Sequence, residues 1–287
     1  MNYKHHIYKI YSTLFIVIST SCIALEILAQ PEELTSSSEI GLLASYYQYG
    51  EPDVMNLRGG NGGVDYLGTW ALNRSWFLRG DIILMVGKAK YDSYKTGSIN
   101  GETNSYLDTR ALCGRHLTFG ESSVAPFVGL GYRYLYNDSR GISSNGANGY
   151  RRESNYLYAP IGLIHTMNLS EQSRLVTTIE FDSLLLGKQL SRTSDAGISY
   201  KDFTNTQKSG YGSRLSLMYQ LDNWSIGPYL IYWHINNSDT VAAPGLRDCR
   251  SGDIGCNKSG KIFDPALLMF EPQNYTLEAG LKVSYKF

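Results

Sequence analysis

The sequence predicts an all-β fold, a transmembrane antiparallel up-and-down β-barrel of about ten strands. Three observations predict it: the composition, a two-residue alternation of apolar and polar side chains, and connections of alternating length. Of the 287 residues, 29 are glycine and 23 are tyrosine, and only 18% are charged although 43% are hydrophobic. A transmembrane barrel spreads its apolar residues by alternation, so that no long apolar run marks a span.

The composition also excludes other classes of protein. The 26 basic residues balance the 26 acidic residues, which excludes a strongly basic nucleic-acid-binding protein, and we expect no nucleic-acid partner. The hydrophobic content is too high for a disordered chain. No apolar run of about 20 residues follows the N-terminal segment, which excludes a helical protein with several membrane spans.

The first predicted element is an N-terminal export signal at residues 1–29. A short basic lead precedes a mostly apolar segment, 14–28, and Ala29 supplies a small residue before the chain turns polar. This order is typical of a secretory signal peptide cleaved after Ala29, which leaves 30–287 as a single outer-membrane barrel domain. An uncleaved anchor is the alternative, but the run is short for a membrane span and contains Glu26.

Strands are indicated where apolar and polar residues alternate with a period of two. The pattern is clearest at 276–287, where every second residue from Leu277 to Phe287 is apolar and the residues between them are polar or glycine. Segment 224–236 is apolar on both faces, so its orientation is not predicted. The ten predicted strands are 38–50, 63–72, 76–91, 104–118, 124–136, 150–166, 174–190, 208–219, 224–236 and 276–287.

The connections between these strands alternate strictly between short and long. The alternation predicts short periplasmic turns, long outside loops, and both chain termini on the periplasmic side of an outer membrane. A soluble β-sandwich has similar strands but no reason to alternate its loop lengths. The short connections are 73–75, 119–123, 168–172 and 220–223, and the long polar ones are 51–62, 92–102, 137–149, 191–207 and 237–274.

Aromatic side chains gather near the ends of the predicted strands, where amphipathic rings line the two membrane interfaces of a barrel. The general preference of aromatic residues for strands explains their presence but not this position. We therefore predict interfacial girdles formed by Tyr46, Tyr47, Tyr49, Trp70, Trp76, Tyr132, Tyr134, Tyr136 and Trp224.

With these features the sequence resembles the small bacterial outer-membrane β-barrel proteins of the opacity-protein-like class. The resemblance rests on the export signal, the alternating strands through 38–287, and a last strand that ends on an aromatic residue. It implies a location in the bacterial outer membrane, contact with outer-membrane lipid, and recognition of the last strand by the barrel assembly machinery. The resemblance assigns this recognition to Leu281, Val283, Tyr285 and Phe287.

The polar faces of the strands carry charges of both signs, which a barrel of about ten strands would turn toward a narrow lumen. Unpaired buried charge is very costly, so we expect these residues to form ion pairs that plug the lumen. A narrow charged pore is the alternative, whereas a general porin would need ~16 strands. The predicted lumen network comprises Glu39, Asp65, Arg79, Asp81, Asp108, Arg110, Arg133, Arg152, Glu180, Asp182, Arg214, Glu278 and Lys282.

No residue pattern in the sequence indicates an enzyme, and we predict none, with no cofactor and no metal. The alternative is a hydrolase at the outside rim, either a protease resembling the ten-stranded omptins or a lipid-modifying enzyme. It would require His234, near the outside end of its strand, to face inward with a carboxylate within hydrogen-bond reach. His116 and His165 fall near the periplasmic ends of their strands.

The last outside segment is the longest and carries two features of its own. Cys249 and Cys256 bracket a short polar stretch, and export to an oxidising compartment makes a local disulfide between them the expected state. An apolar cluster follows that is too large to be exposed to water without a role in contact with something else. This cluster either covers the barrel mouth, contacts lipid head groups, or binds a surface partner. The cluster is Phe263, Leu267, Leu268, Met269 and Phe270.

Together these observations predict an integral outer-membrane barrel with a plugged lumen. Its role would be structural or would lie in surface interaction, such as adhesion or envelope integrity. Any binding would use the outside loops, because loops are free to vary while the barrel is constrained. The sequence does not specify the partner.

Overall fold

The computed structural model describes residues 34–287, so the predicted signal peptide at residues 1–29 lies outside the described part of the chain. Within that part no helix is long and apolar enough to cross a membrane, and one short 3-10 helix spans Thr193–Ala196. The strands are β1 (Ser37–Glu51), β2 (Met55–Ala71), β3 (Trp76–Ser93), β4 (Gly97–Arg115), β5 (Leu117–Phe119), β6 (Ser122–Asp138), β7 (Arg151–Asn168), β8 (Ser173–Arg192), β9 (Phe203–Gln207), β10 (Gly210–Leu221), β11 (Trp224–Ile235), β12 (Thr240–Ala242), β13 (Gly245–Asp248), β14 (Lys261–Asp264), β15 (Leu268–Phe270) and β16 (Asn274–Lys286).

Ten antiparallel wall strands close into a barrel, which confirms the predicted fold class. Each wall strand pairs with its neighbours along the chain, and β1 closes on β16, so the connectivity is up-and-down. β4 and β5 together form one wall strand, and β9 and β10 form another. β12 pairs with β15 and β13 pairs with β14 outside the wall.

The outward face of the wall is an apolar band. Leu42 is 68% exposed, Trp70 is 51% exposed and Leu281 is 58% exposed. An apolar surface of this extent is not stable in water, whereas lipid covers such a band in transmembrane barrels. The backbone groups in the band pair with neighbouring strands, as a hydrocarbon environment requires. Further members of the band are Ile40, Val64, Ile82, Leu84, Val128, Leu130, Ile161, Leu215 and Ile226.

The wall strands extend beyond the apolar band at one end of the barrel. We call this end the loop end, and we call the opposite end, which holds the short turns and the start of β1, the turn end. The segments 51–62 and 92–102, predicted as loops, are mostly strand, since only 52–54 and 94–96 separate the paired strands. The two-residue period is visible only where one face meets lipid. Beyond the band the outward face is polar, and the inward face mixes glycine and polar residues with the buried Met55 and Leu57, so the sequence shows no long alternation there.

Aromatic as well as charged side chains fill the lumen. Tyr47 and Tyr49 are 0% and 9% exposed and pack with Leu57 inside the barrel, so their assignment to an interfacial girdle is wrong. They share the inward parity of β1, whereas Tyr46 lies on the outward face and is 50% exposed. β11, whose orientation the sequence left open, turns the buried Trp233 inward.

Two inward glycines make room for aromatic rings from the neighbouring strand. A Cβ on Gly131 would lie 2.2 Å from the ring of Tyr158, and a Cβ on Gly162 would lie 2.4 Å from the ring of Phe127. Only glycine permits so close an approach. These two glycines therefore mark positions where the adjacent strand supplies the side chain that fills the lumen.

Candidate functional site

The centre of the lumen is built around Asp108, which is fully buried on β4. Its carboxylate accepts hydrogen bonds from Arg214 Nη2 at 2.7 Å and from the Tyr158 hydroxyl at 2.6 Å. Arg133 Nη1 lies 3.6 Å from the same carboxylate. These side chains come from four wall strands, so one buried anion joins opposite sides of the barrel.

A second set of ion pairs continues from Asp108 toward the turn end. Arg110 donates to Glu180 at 2.6 Å and also pairs with Asp81. Arg214 Nε lies 3.0 Å from Asp182 and 3.1 Å from Glu180. Each of these charges contacts an opposite charge, which offsets the cost of removing it from water.

Aromatic rings close the lumen above Asp108, on the side of the loop end. The guanidinium carbon of Arg133 lies 4.6 Å from the centroid of the Tyr106 ring and 5.8 Å from that of Trp233, which are cation–π distances. Trp233 packs edge-on against Tyr158 at 5.0 Å. We call this layer the central plug, and its members are Asp108, Arg133, Tyr158, Arg214 and Trp233.

A further group lies nearer the turn end. Lys282 Nζ lies 2.5 Å from Asp65 and 3.1 Å from Glu39, and the Ser284 hydroxyl donates to Glu39 at 2.5 Å. These residues belong to β1, β2 and β16, which are neighbours in the wall. The charges predicted at the first and last strands therefore meet across the closing seam of the barrel.

Three members of the predicted lumen network are placed differently. Glu278 accepts hydrogen bonds from the hydroxyls of Ser45, Tyr106 and Tyr229, so its hydrogen-bond donors are neutral hydroxyls. Arg79 donates to Thr69 Oγ1 at 3.1 Å and has no carboxylate within 4.0 Å in the described part of the chain. Arg152 lies apart from the others, at the loop end. Parity predicts that a charge faces inward but does not predict its partner.

The loop end contains a buried cluster that sequence reasoning missed. Arg152 pairs with both Glu51 and Glu271, and Tyr49 donates its hydroxyl hydrogen to Glu51 at 2.9 Å. Glu51 and Glu271 are each 4% exposed. Both were assigned to polar outside segments, where the alternating pattern gives no orientation. Glu51 is the last residue of β1, and Glu271 lies between β15 and β16, so neither position is marked by the alternating pattern.

Burial shifts the titration of Glu271, which lies outside the membrane-spanning segments. Its pKa is raised from 4.5 to about 7, chiefly by desolvation, while the neighbouring Glu51 carboxylate also raises it and Arg152 opposes the shift. Glu102 at the same end shows the same direction, with a pKa raised to about 7 by burial. The loop end is therefore charged differently at pH 5 and at pH 8.

We expect acidification to tighten the loop end. Because the folded-state pKa of Glu271 is raised, its stabilising contribution is present below about pH 4.5 and is lost as pH rises toward about 7. Hydrogen exchange of the amides in 268–274, corrected for intrinsic rates, should show more protection at pH 5 than at pH 8. Glu271→Gln should reduce the difference, and the control Glu121→Gln, in an exposed turn, should keep it. Equal protection at both pH values in the wild type would contradict the prediction.

The long last outside segment folds as a hairpin. β12 pairs with β15, β13 pairs with β14, and the predicted disulfide between Cys249 and Cys256 closes the tip. The hairpin is fixed to the wall beside β9, where the Thr206 amide donates to Asp239 Oδ1 at 2.6 Å. We call this segment, residues 236–273, the loop-end hairpin.

The predicted apolar cluster lies on this hairpin and divides into two groups. Phe263, Leu268 and Phe270 are 53%, 66% and 50% exposed. Leu267 and Met269 are half-buried. The three exposed side chains therefore do not cover the barrel mouth.

The geometry that the alternative hypothesis, a rim hydrolase, would require does not form around His234. The neighbours on either side, Trp233 and Ile235, are the buried inward residues of β11, so His234 lies on the outward face. Its Nε2 is 3.1 Å from Asn236 Oδ1, and its ring centroid is 5.5 Å from that of Tyr211. His116 instead lines a lumen cavity at the turn end.

The residues assigned to the assembly signal share the outward face of β16 and the chain end. Leu281, Val283, Tyr285 and Phe287 are 58%, 39%, 37% and 68% exposed. The Phe287 amide donates to the Ser38 carbonyl at 2.9 Å, so the last residue still pairs with β1. Their recognition by an assembly machinery stays a prediction.

One solved structure of a known protein agrees with this architecture. No family model matches the chain, and no curated protein matches it. The chain is similar to the outer membrane protease OmpT from Escherichia coli, at 11% identity and a TM-score of 0.59, over 90% of this chain and 100% of that chain. It is also similar to Ail, the attachment invasion locus protein of Yersinia pestis, at 10% identity and a TM-score of 0.31, over 88% of this chain and 100% of that chain.

The similarity to OmpT shows the fold alone, because the identity is low. Together with the apolar outward band, it shows the fold of a closed antiparallel β-barrel whose outer face suits contact with lipid. The activity of OmpT is not transferred with the fold, since function lies in a site and not in the architecture that carries it.

Proposed function

We propose that this outer-membrane β-barrel is a non-conducting surface-interaction protein that acts through its loop-end hairpin. The observation that carries the proposal is the exposure of Phe263, Leu268 and Phe270 on a hairpin held by a disulfide. Large apolar side chains exposed together on an ordered element are typical of a binding surface.

The plugged lumen supports a role outside transport. The central plug places the buried Asp108 and Arg133 across the barrel axis, and Trp233 and Tyr158 fill the space around them. A conducting path would have to break these contacts. Planar-bilayer recordings of the purified barrel should therefore show no steady unitary conductance, and reproducible unitary currents would contradict this part of the proposal.

Preorganisation of the hairpin supports a role in binding. Arg247 at its centre pairs with Asp253 at 2.6 Å and with Asp264 at 2.9 Å, which joins both arms and the tip. The disulfide adds a covalent restraint at the tip. A surface ordered before contact loses less conformational entropy on binding than a flexible loop does.

Adherence of bacteria that display the protein tests the proposal. A Gram-negative host displaying the wild type should adhere to a cultured epithelial monolayer, and Phe263→Ser/Leu268→Ser/Phe270→Ser should lose about tenfold or more of that adherence, since apolar anchors dominate interface energy. The matched control Ile142→Ser/Ile198→Ser removes two exposed apolar residues from other outside segments, 75% and 100% exposed, and should adhere like the wild type. Equal adherence of all three strains, at equal surface display, would contradict the proposal.

A further inference from the structure

Between the central plug and the turn end the barrel contains a cavity of about 360 Å³. Its lining runs from Arg214 at the plug to Ser225 and Lys286, which lie at the ends of their strands next to the turns. The cavity is therefore blind at the plug and opens at the turn end. We call it the turn-end vestibule, and its volume falls in the range of roughly 300–1,000 Å³ typical of small-molecule sites.

One wall of the vestibule is apolar and continuous. Its residues contact one another across five adjacent wall strands, and each of the fully buried members is 8% exposed or less. Contact between water and such an apolar wall is unfavourable, whereas an acyl chain would remove the wall from water. The wall comprises Phe77, Leu112, Ala125, Phe127 and Ile164, with Leu34 and Val176 packed beside them.

The same vestibule carries an excess of positive charge. Six Arg and Lys side chains line it, but only four carboxylates do. All four carboxylates pair with deeper cations, namely Arg110, Arg214 and Lys282. The remaining three cations are half-buried near the opening and have no carboxylate within 4.0 Å among residues 34–287, and they are Arg79, Arg174 and Lys286.

We propose that the turn-end vestibule binds a single-chain anionic amphiphile. The chain lies against the apolar wall, and the head group lies at Arg79, Arg174 and Lys286. The two halves of the site meet at Arg79, whose guanidinium carbon is 5.3 Å from the centroid of the Phe77 ring. A small inorganic anion would make no contact with the apolar wall, and a neutral chain would leave three partly desolvated cations without a direct ion-pairing partner.

This site is distinct from the loop-end hairpin, so its occupancy does not depend on the proposed surface role. Two sources supply the required chemistry, namely free fatty acids and lysophospholipids with an acidic head group. The shared features are one acyl chain and one anionic group, and the experiment separates the sources.

Ligand binding to the barrel in phosphatidylcholine nanodiscs tests the proposal. Radiolabelled laurate, lysophosphatidylglycerol, dodecanol and inorganic phosphate are each titrated, and binding to empty nanodiscs is subtracted. We expect saturable binding of laurate, of lysophosphatidylglycerol or of both, and about tenfold or more weaker binding of dodecanol and phosphate. Binding of laurate alone identifies fatty acids as the source, and binding of lysophosphatidylglycerol alone identifies a lipid head group. Equal affinity for dodecanol or for phosphate, or no saturable binding of either amphiphile, would overturn the proposal.

One variant tests the cationic part of the site, and a second variant tests its apolar wall. Arg79→Gln/Arg174→Gln/Lys286→Gln removes the excess charge and should weaken amphiphile binding about tenfold or more. Ala125→Trp fills the apolar wall and should remove binding by exclusion. The control Lys95→Gln/Lys201→Gln/Lys258→Gln removes three exposed cations outside the vestibule and should bind like the wild type. Wild-type binding by either vestibule variant, with an unchanged β-sheet circular dichroism spectrum, would overturn the assignment.

Discussion

Replacing Asp108 with alanine is expected to lower the free energy of unfolding of the barrel by about 3–5 kcal/mol. Asp108 is fully buried and accepts hydrogen bonds from Arg214 and Tyr158, with Arg133 at 3.6 Å. The substitution removes the anion but leaves both guanidinium groups in the lumen. Arg214 keeps Asp182, whereas Arg133 loses the carboxylate that lies within 4.0 Å of it in the described structure.

Urea unfolding of the barrel in lipid vesicles, followed by far-UV circular dichroism, measures the change. Asp248→Ala is the matched control, because Asp248 pairs with Lys261 on the loop-end hairpin with its side chain 88% exposed, and an exposed pair contributes little to stability. Arg133→Met combined with Asp108→Leu should recover part of the loss, since the cation left without a carboxylate is removed together with the anion. Equal unfolding midpoints for the two alanine variants would show that the buried charge of Asp108 does not stabilise the central plug.

The wall strands could be predicted because lipid constrains every second residue. Beyond the apolar band, as at 51–62, the outward face meets water and is no longer apolar, so the alternation weakens although the strands continue. Within the band, a β-bulge also interrupts the alternation of inward and outward residues. Leu185 and Leu186 are both exposed because Leu157 pairs with Leu186 while Tyr158 pairs with Leu184. A parity argument loses register at such a position.

The charged residues of the lumen could be predicted, but their pairing could not. Parity on one strand shows that Asp108 and Arg214 face inward, and nothing local shows that strands 106 residues apart bring them within 2.7 Å. Contact across a lumen depends on the stagger of all the strands between. For the same reason the separation of the lumen into a central plug and a turn-end vestibule has no signal in any single segment. It results from where the paired and the unpaired cations fall along the barrel axis.

The second large effect on the free energy of unfolding is expected from the aromatic packing in the central plug. Replacing Trp233 with alanine should cost about 3–5 kcal/mol, the usual range for a buried large aromatic residue. Trp233 is 2% exposed, packs edge-on against Tyr158 at 5.0 Å, and lies 5.8 Å from the guanidinium carbon of Arg133. The cavity left behind would adjoin a buried cation, so the variant loses packing and a cation–π contact at once.

Trp224→Ala on the same strand provides the control for this prediction. Trp224 lies at the turn end of β11 on the outward face, is 58% exposed, and contacts Tyr285 edge-on at 5.0 Å. Its loss should cost about 1 kcal/mol, the scale of one aromatic pair. Urea unfolding followed by circular dichroism compares the two variants without relying on tryptophan fluorescence. If Trp224→Ala destabilised the barrel as much as Trp233→Ala, the aromatic girdle and not the filled lumen would be the main source of its stability.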